Sequence, residues 1–309
     1  MATATSLPPA ATFAAEALGS AIGSARLQIG RSLRSLIAGD APVVRDITAP
    51  VVGDPGLFGP DSVTWRVHAD GAMLVGGIRA LLLQMLHPLA MAGVAEHSDY
   101  RRHPERRLAR TSQYVAVTTF GTTEQADEML AIVQRAHRHV VGVAPDGRPY
   151  SADDPHLIAW VHHAEVDSFL RAYRRYGALP LTDADADRYV DEMAVLCERL
   201  GGEDPARSVA ELDDRLRAIR PELHGTAQSR DAARWLMLAP LPLAARPAYA
   251  LLAPAAVGLL DPWMREELRL PLVESLDPIL VRPAARALLR GLAWALEGAI
   301  DEALADQTP

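Results

Sequence analysis

Residues 84–142 read QMLHPLAMAGVAEHSDYRRHPERRLARTSQYVAVTTFGTTEQADEMLAIVQRAHRHVVG, and no other part of the chain is as informative. Histidines and arginines are gathered in this stretch, where a helical core is otherwise expected. Burying a charge or an imidazole costs free energy unless a partner compensates for the lost water. The stretch therefore predicts a helical core that holds an anionic, metal-bearing cofactor.

Helix start and stop signals divide this stretch. Pro104 suits the first turn of a helix, and Gly121 ends that helix after Phe120. A threonine cap opens the next helix, which is predicted over 124–141 and ends at Gly142. Two consecutive helices are therefore expected here.

The apolar run 72–95 predicts a core helix upstream, with a kink near Pro88 because proline removes a backbone donor. The run is long enough to span a bilayer. Arg79 and His87 lie inside it, however, so a buried core helix is favoured over a membrane span. His87 is interpreted as a structural histidine at the kink, and His97 as part of a helix-end cap.

Composition favours an all-α fold. Of the 309 residues, 49% are hydrophobic but only 5% are aromatic, and no alternating strand pattern rises above noise. Residues 11–38 read as an amphipathic helix within an N-terminal helical extension, 1–45. Residues 46–305 are expected to form a single multi-helix globular domain.

Several classes of protein are excluded or disfavoured by composition. All 31 basic residues are arginine, so a lysine Schiff base and a P-loop lysine are both excluded. The net charge of −8 argues against a nucleic-acid partner. The single cysteine, Cys197, is expected to be a buried thiol and excludes an internal disulfide. The N-terminal residues do not resemble a signal peptide, which favours a cytoplasmic protein.

His137 is the sharpest candidate for a metal ligand. It falls near the middle of one helical face, whose other members are Ala126, Leu130, Val133 and Val140. From the pattern, both a core histidine and an axial haem ligand remain open. An apolar setting disfavours the imidazolium and leaves a nitrogen lone pair free for iron.

Arg107, Arg110 and Thr111 lie within one helical turn, with Arg107 and Thr111 on the same face. An ordinary charged helix surface is the alternative interpretation. The arginine is suited to holding a propionate, and the hydroxyl to orienting dioxygen or water. His162 and His163 offer a second metal-ligand pair, but their carboxylate neighbours place the ligands on opposite helix faces.

The ordered set of motifs resembles the domain catalogued as DUF2236, which latex clearing proteins (rubber oxygenases) share with the MpaB-type oxygenases. The likeness covers roughly residues 57–271. The motifs that carry it are His87-Pro88, His97-Ser98, Arg107–Thr111, Phe120-Gly121, His137 with Val140 and Gly142, Tyr150–Pro155 and Trp160–His162.

This resemblance implies an all-helical domain with haem b in its core and His137 as the axial iron ligand. It also implies that Arg107, Arg110 and Thr111 lie near the haem. The family has a lysine where this chain has Arg110, and arginine stays charged, so the lysine's proposed role there is in question. Glu96 is a positional candidate for the family's catalytic glutamate. The expected lack of a signal peptide departs from the secreted rubber enzymes, so polyisoprene is not the expected substrate.

The sequence thus predicts a haem b-dependent oxidoreductase, an oxygenase that uses dioxygen or peroxide on a small apolar or amphipathic metabolite. A redox partner is compatible with this function. Leu82, Leu86 and Met91 are expected to shape the substrate cavity. The alternatives are a non-catalytic haem carrier or sensor, a cofactor-free helical binding module, and a non-haem metal enzyme that uses His162 and His163.

Overall fold

The computed structural model describes residues 53–243, 245–271 and 276–305, and the expected N-terminal extension lies outside them. The described part is all-α except for one short two-stranded sheet, as predicted. The helices are α1 (Val63–His68), α2 (Met73–Gln84), α3 (Pro88–His97), α4 (Pro104–Phe120), α5 (Thr123–His137), α6 (Pro155–Tyr176), α7 (Asp183–Leu200), α8 (Val209–Ile219), α9 (Ala227–Met237), α10 (Arg246–Val257), α11 (Pro262–Leu268) and α12 (Arg282–Ala305).

Helix α6 is the centre of the domain, and α2 packs along it. A buried ion pair joins the two helices: Arg79 Nη1 lies 2.8 Å from Asp167 Oδ2, and both side chains are almost fully buried. Arg79 also donates to Ser168 Oγ at 2.7 Å and to the Leu259 carbonyl at 3.0 Å. Because Leu259 follows α10, this one guanidinium ties three helical segments together.

The predicted kink at Pro88 is a complete break. Helix α2 ends at Gln84, α3 begins at Pro88, and the two axes meet at 106°. His87 has extended backbone angles (φ −86°, ψ 115°), as the residue before a proline prefers. Among the described residues, a membrane-spanning length of apolar sequence occurs only if α2 and α3 are counted together across this bend, and in no single helix.

Helix α4 begins and ends as predicted, but the predicted extent of α5 was wrong. Helix α5 ends at His137, and residues 141–143 form strand β1, which pairs antiparallel with strand β2 (Pro149–Ser151). In this register Gly142 lies opposite Tyr150. Residues 141–143 thus form hydrogen bonds with strand β2 instead of continuing the helix. The sequence pattern did not indicate this strand pairing.

Candidate functional site

Helices α4 and α5 form an antiparallel hairpin, because only two residues connect them and the helices are in contact. Arg107 lies near the start of α4, and His137 is the last residue of α5. At a rise of 1.5 Å per residue, each lies about 20 Å from the connection. The hairpin therefore brings both predicted site residues to the same end, where the β-hairpin and the end of α3 also lie.

Arg107 is held at this end by the C-terminal cap of α3. Its Nη1 donates to Ser98 Oγ at 2.6 Å, and burial lowers the pKa of the guanidinium. No carboxylate of a described side chain pairs with it. Arg107 therefore brings a largely desolvated positive charge to the end of the hairpin, and an anion there would complement it.

Arg110 and Thr111 differ from Arg107 in their surroundings. Both are exposed on α4. The Thr111 hydroxyl donates to the Arg107 carbonyl at 3.1 Å, within its own helix. Arg107 and Thr111 were predicted to share one helix face. Their side chains differ in environment, because the Arg107 guanidinium is half-buried and Thr111 is exposed.

His137 is half-buried and lines a cavity of about 190 Å³. Burial lowers the pKa of its imidazole, and the negative charge of Asp153 opposes this only in part. Among the described residues, the ring nitrogens make no hydrogen bond. His137 therefore presents a neutral ring with an uncommitted lone pair at neutral pH. The cavity lining comprises Gln134, His137, Arg138, Asp153, Ile158 and Leu200.

A partly buried hydrogen bond lies on the β-hairpin side of this region. Tyr150 donates its hydroxyl to Glu96 Oε2 at 2.5 Å, and burial together with Glu96 raises the pKa of Tyr150 to about 12. Opposite the pair, a Cβ atom on Gly142 would lie 2.5 Å from the Tyr150 oxygen and 3.0 Å from Glu96. Only glycine fits at this position without a shift, so Gly142 permits the pair to form.

The exposed ring of His97 adds a further contact at this end, where its Nε2 lies 3.2 Å from the Val141 carbonyl oxygen. His97 is the last residue of α3, so this contact links α3 to strand β1. The motif His97-Ser98 correctly predicted a helix end. It did not reveal that one of the two side chains would contact β1 and the other Arg107.

Glu165 lies on α6, inside the bundle. Burial raises its pKa to about 7, although some of its side-chain surface remains accessible. Its charge is felt by Tyr114 of α4, whose own pKa burial raises strongly. Burial also lowers the pKa of His162, one turn away, to about 3. A carboxyl group that titrates near neutral pH therefore lies in the interior.

The alternative metal pair of His162 and His163 does not assemble. His163 Nε2 accepts the Ala206 backbone N–H at 3.1 Å. Asp167, the carboxylate expected beside it, is taken up by Arg79 and Arg171. His163 and Asp167 are therefore engaged in structural contacts.

The three residues expected to shape a substrate cavity lie in packed core instead. Leu82 and Leu86 are fully buried in one cluster with Trp160, and Met91 packs in another with Tyr100. Cys197 is buried as predicted, and burial raises the pKa of its thiol to about 12. Its sulfur is therefore a protonated thiol at neutral pH.

Residues 65–297 match the model of a family described as ER-bound oxygenase mpaB/B'/Rubber oxygenase, catalytic domain. Two curated proteins, uncharacterized protein Rv2237 of Mycobacterium tuberculosis and uncharacterized protein Mb2261 of Mycobacterium bovis, are each 33% identical over 112 residues. The alignment covers 35% of this chain and 43% of either relative, so the chain spans less than half of their length. No solved structure matches the chain.

Proposed function

Because the chain belongs to the family of mpaB-type and rubber oxygenase catalytic domains, we propose that it is a haem b-dependent oxygenase of a small apolar or amphipathic metabolite. Membership in the family supports an oxygenase. The observation that carries the haem assignment is the neutral, half-buried imidazole of His137 beside a cavity. Arg107, Arg110 and Thr111 would belong to the haem surroundings.

The side chains at this end suit haem chemically. A neutral imidazole supplies the lone pair that iron requires. Arg107 has no carboxylate partner among the described side chains and would pair with a propionate. Asp153 lines the same cavity as His137, so it is the carboxylate available to accept a hydrogen bond from the second ring N–H and orient the ring.

The cavity beside His137 is smaller than a porphyrin requires. Its 190 Å³ lies below the roughly 300 Å³ at which pockets begin to enclose drug-sized ligands. Gln134 and Arg138, two long side chains, form part of the wall. In this proposal, haem binding therefore requires the side chains of the cavity wall to move. The rate constant for hemin binding should then be lower than the diffusion limit.

Once bound, haem would supply the iron centre at which dioxygen or peroxide is activated. The chain's own residues would hold and orient that centre. His137 would bind it, Asp153 would fix the ring, and Arg107, anchored by Ser98, would fix a propionate. Glu165 would exchange a proton near neutral pH in the interior of the bundle.

The test is hemin reconstitution of purified protein, followed by the Soret absorbance. His137→Ala is expected to abolish stoichiometric haem binding while the circular dichroism of the helices is retained. His139→Ala is the matched control, because His139 is an exposed histidine two residues away. Equal haem affinity in the wild type and His137→Ala would remove the ligand assignment.

A second measurement separates an oxygenase from a haem carrier. An oxygenase consumes dioxygen or peroxide in proportion to substrate turned over, with electrons from a reductant or redox partner where the chemistry needs them. A carrier binds haem and shows no such turnover. A colourless protein that rejects hemin would instead indicate a cofactor-free helical module.

A further inference from the structure

Three potential metal ligands meet at the other end of α3, away from Ser98. His87 is the N-terminal cap of α3, His156 lies in the first turn of α6, and Glu222 ends a short 3-10 helix, Arg220–Glu222. One candidate ligand atom from each side chain lies within 4.8 Å of the other two. Three segments distant in sequence thus converge at one point.

The spacing of these atoms matches that of ligands around one metal ion. His87 Nε2 and His156 Nε2 lie 3.3 Å and 3.2 Å from the same oxygen, Glu222 Oε2. Zinc binds nitrogen and oxygen at about 2.0–2.2 Å, so tetrahedral geometry separates neighbouring ligand atoms by about 3.4 Å. Both His–Glu separations are close to this value, and the two histidine ligand atoms lie within 4.8 Å of each other.

The second ring nitrogen of His156 has its own carboxylate. His156 Nδ1 lies 3.1 Å from Glu203 Oε1. A carboxylate behind a histidine is the usual arrangement around metal sites, because it fixes the ring and raises its basicity. Two carboxylates, those of Glu203 and Glu222, thus surround the imidazoles with negative charge that a divalent cation would neutralise.

His87 is not satisfied by hydrogen bonds alone. Its side chain is 1% exposed, and its Nδ1 has no hydrogen-bond partner among the described residues. The nitrogen that faces the cluster is Nε2, which lies 3.3 Å from Glu222 Oε2. The ring of Trp160 packs near it and helps to fix its position.

Solvent can reach the cluster from one side. The side chains of His156 and Glu222 are 45% and 40% exposed, in contrast to His87. Three protein ligands and a side open to water are the pattern of zinc sites that keep a position for water or another ligand. A cation from solution therefore has an entry path.

We propose that His87, His156 and Glu222 bind a divalent transition-metal cation of the zinc class, with Glu203 as the orienting group. None of these residues lines the cavity beside His137. Along α3, the site lies about 15 Å from the Ser98 end. It is therefore independent of the proposed haem site.

The competing arrangement is a proton-bridged cluster without metal. Burial opposes a charge on His156, but the hydrogen bonds that the ring donates to Glu222 and Glu203, with the negative charges of these carboxylates, outweigh it and raise the pKa of that ring. A protonated His156 would then bridge the two carboxylates, and His87 would donate to Glu222. Direct metal titration distinguishes the two arrangements.

The experiment titrates chelator-treated full-length protein with ZnCl₂ in competition with a chromogenic indicator, and with CoCl₂ monitored by its visible absorption. One equivalent is expected to bind, with the intense visible bands of low-coordinate Co²⁺. His156→Gln and Glu222→Gln should each weaken binding at least a hundredfold. Glu203→Gln should weaken it about 10–100-fold, as loss of an outer-sphere carboxylate does.

His224→Gln is the matched control, because His224 is an exposed histidine two residues from Glu222. It should bind Zn²⁺ like the wild type, as should His137→Ala, so failure of the haem proposal is distinguishable from failure of this one. Circular dichroism confirms the fold of each variant. Absence of saturable binding, or equal affinity in wild type, His156→Gln and Glu222→Gln, would overturn the site in favour of the proton-bridged cluster.

Discussion

The interior carboxyl group of Glu165 gives the protein a specific dependence of stability on pH. Burial raises its pKa from an ordinary 4.5 to about 7 in the folded protein. In the unfolded chain the proton leaves near 4.5, so between these two pH values the native state binds more protons. The free energy of unfolding therefore contains a contribution that is complete below pH 4.5 and is lost as pH rises through 7.

The size of this contribution follows from the two pKa values. Their difference is worth about 3 kcal/mol at about 1.36 kcal/mol per pKa unit. In the native state the neighbouring groups do not titrate in the same window, since Tyr114 and Tyr189 stay protonated and His162 stays neutral. Glu165→Gln should thus be more stable relative to wild type at pH 8.5 than at pH 4.5, by about 3 kcal/mol.

Urea unfolding followed by circular dichroism at several pH values between 4.5 and 8.5 measures this difference. The pH dependence of the wild-type stability includes the contributions of every other titrating group. The informative quantity is therefore the free energy of unfolding of the variant minus that of the wild type, taken at each pH. Glu128→Gln is the control, because Glu128 is exposed on α5. A pH-independent difference for Glu165→Gln, like that expected of Glu128→Gln, would refute the burial argument.

Asp167→Asn should destabilise the fold by about 3–5 kcal/mol, because it leaves the Arg79 charge buried without its carboxylate; a loss below about 1 kcal/mol in urea unfolding would contradict this. Gly142→Ala should cost about 1–3 kcal/mol by forcing Tyr150 aside, measured by the same unfolding curves. Thr122→Ala should cost about 1 kcal/mol, since Thr122 accepts the Gln125 N–H in the capping box of α5, and an unchanged midpoint would argue against the cap.

Helix boundaries set by local chemistry were predicted well. Helix α4 starts at Pro104 and stops before Gly121, as predicted. The same kinds of residue bound α7, which starts after the cap at Thr182 and stops before Gly201. These signals act within a few residues: proline fixes one dihedral angle, a hydroxyl accepts an orphan N–H, and glycine adopts the left-handed C-cap. Local sequence is sufficient to read them.

Predictions failed where a distant segment competes with the local preference. The residues after His137 continue the helical pattern, yet they pair with strand β2, which places His137 on the final turn of α5. The kink predicted at Pro88 became a 106° break that turns α3 away from α2. In the first case pairing with a distant strand outweighed the local helical propensity, whereas at Pro88 the local effect of the proline was larger than a kink.

The residues of the candidate site were found from the sequence, but their relations were not. His137, Arg107 and His97-Ser98 were all singled out by residue type and spacing. Their common location at one end of the α4–α5 hairpin follows from the tight connection at Gly121. The position of Asp153 beside His137, and the convergence of His87, His156 and Glu222, involve residues with no periodic relation.

The sequence alone was enough to predict an all-α protein, its oxygenase family and a short set of candidate ligands. Helical periodicity, caps and motifs depend on residues that are close together in the sequence. The folded arrangement was needed to assign surroundings to those ligands. Whether an imidazole is neutral and free, as at His137, or lies against a carboxylate, as at His87, depends on desolvation and on contacts made by residues far away in the chain.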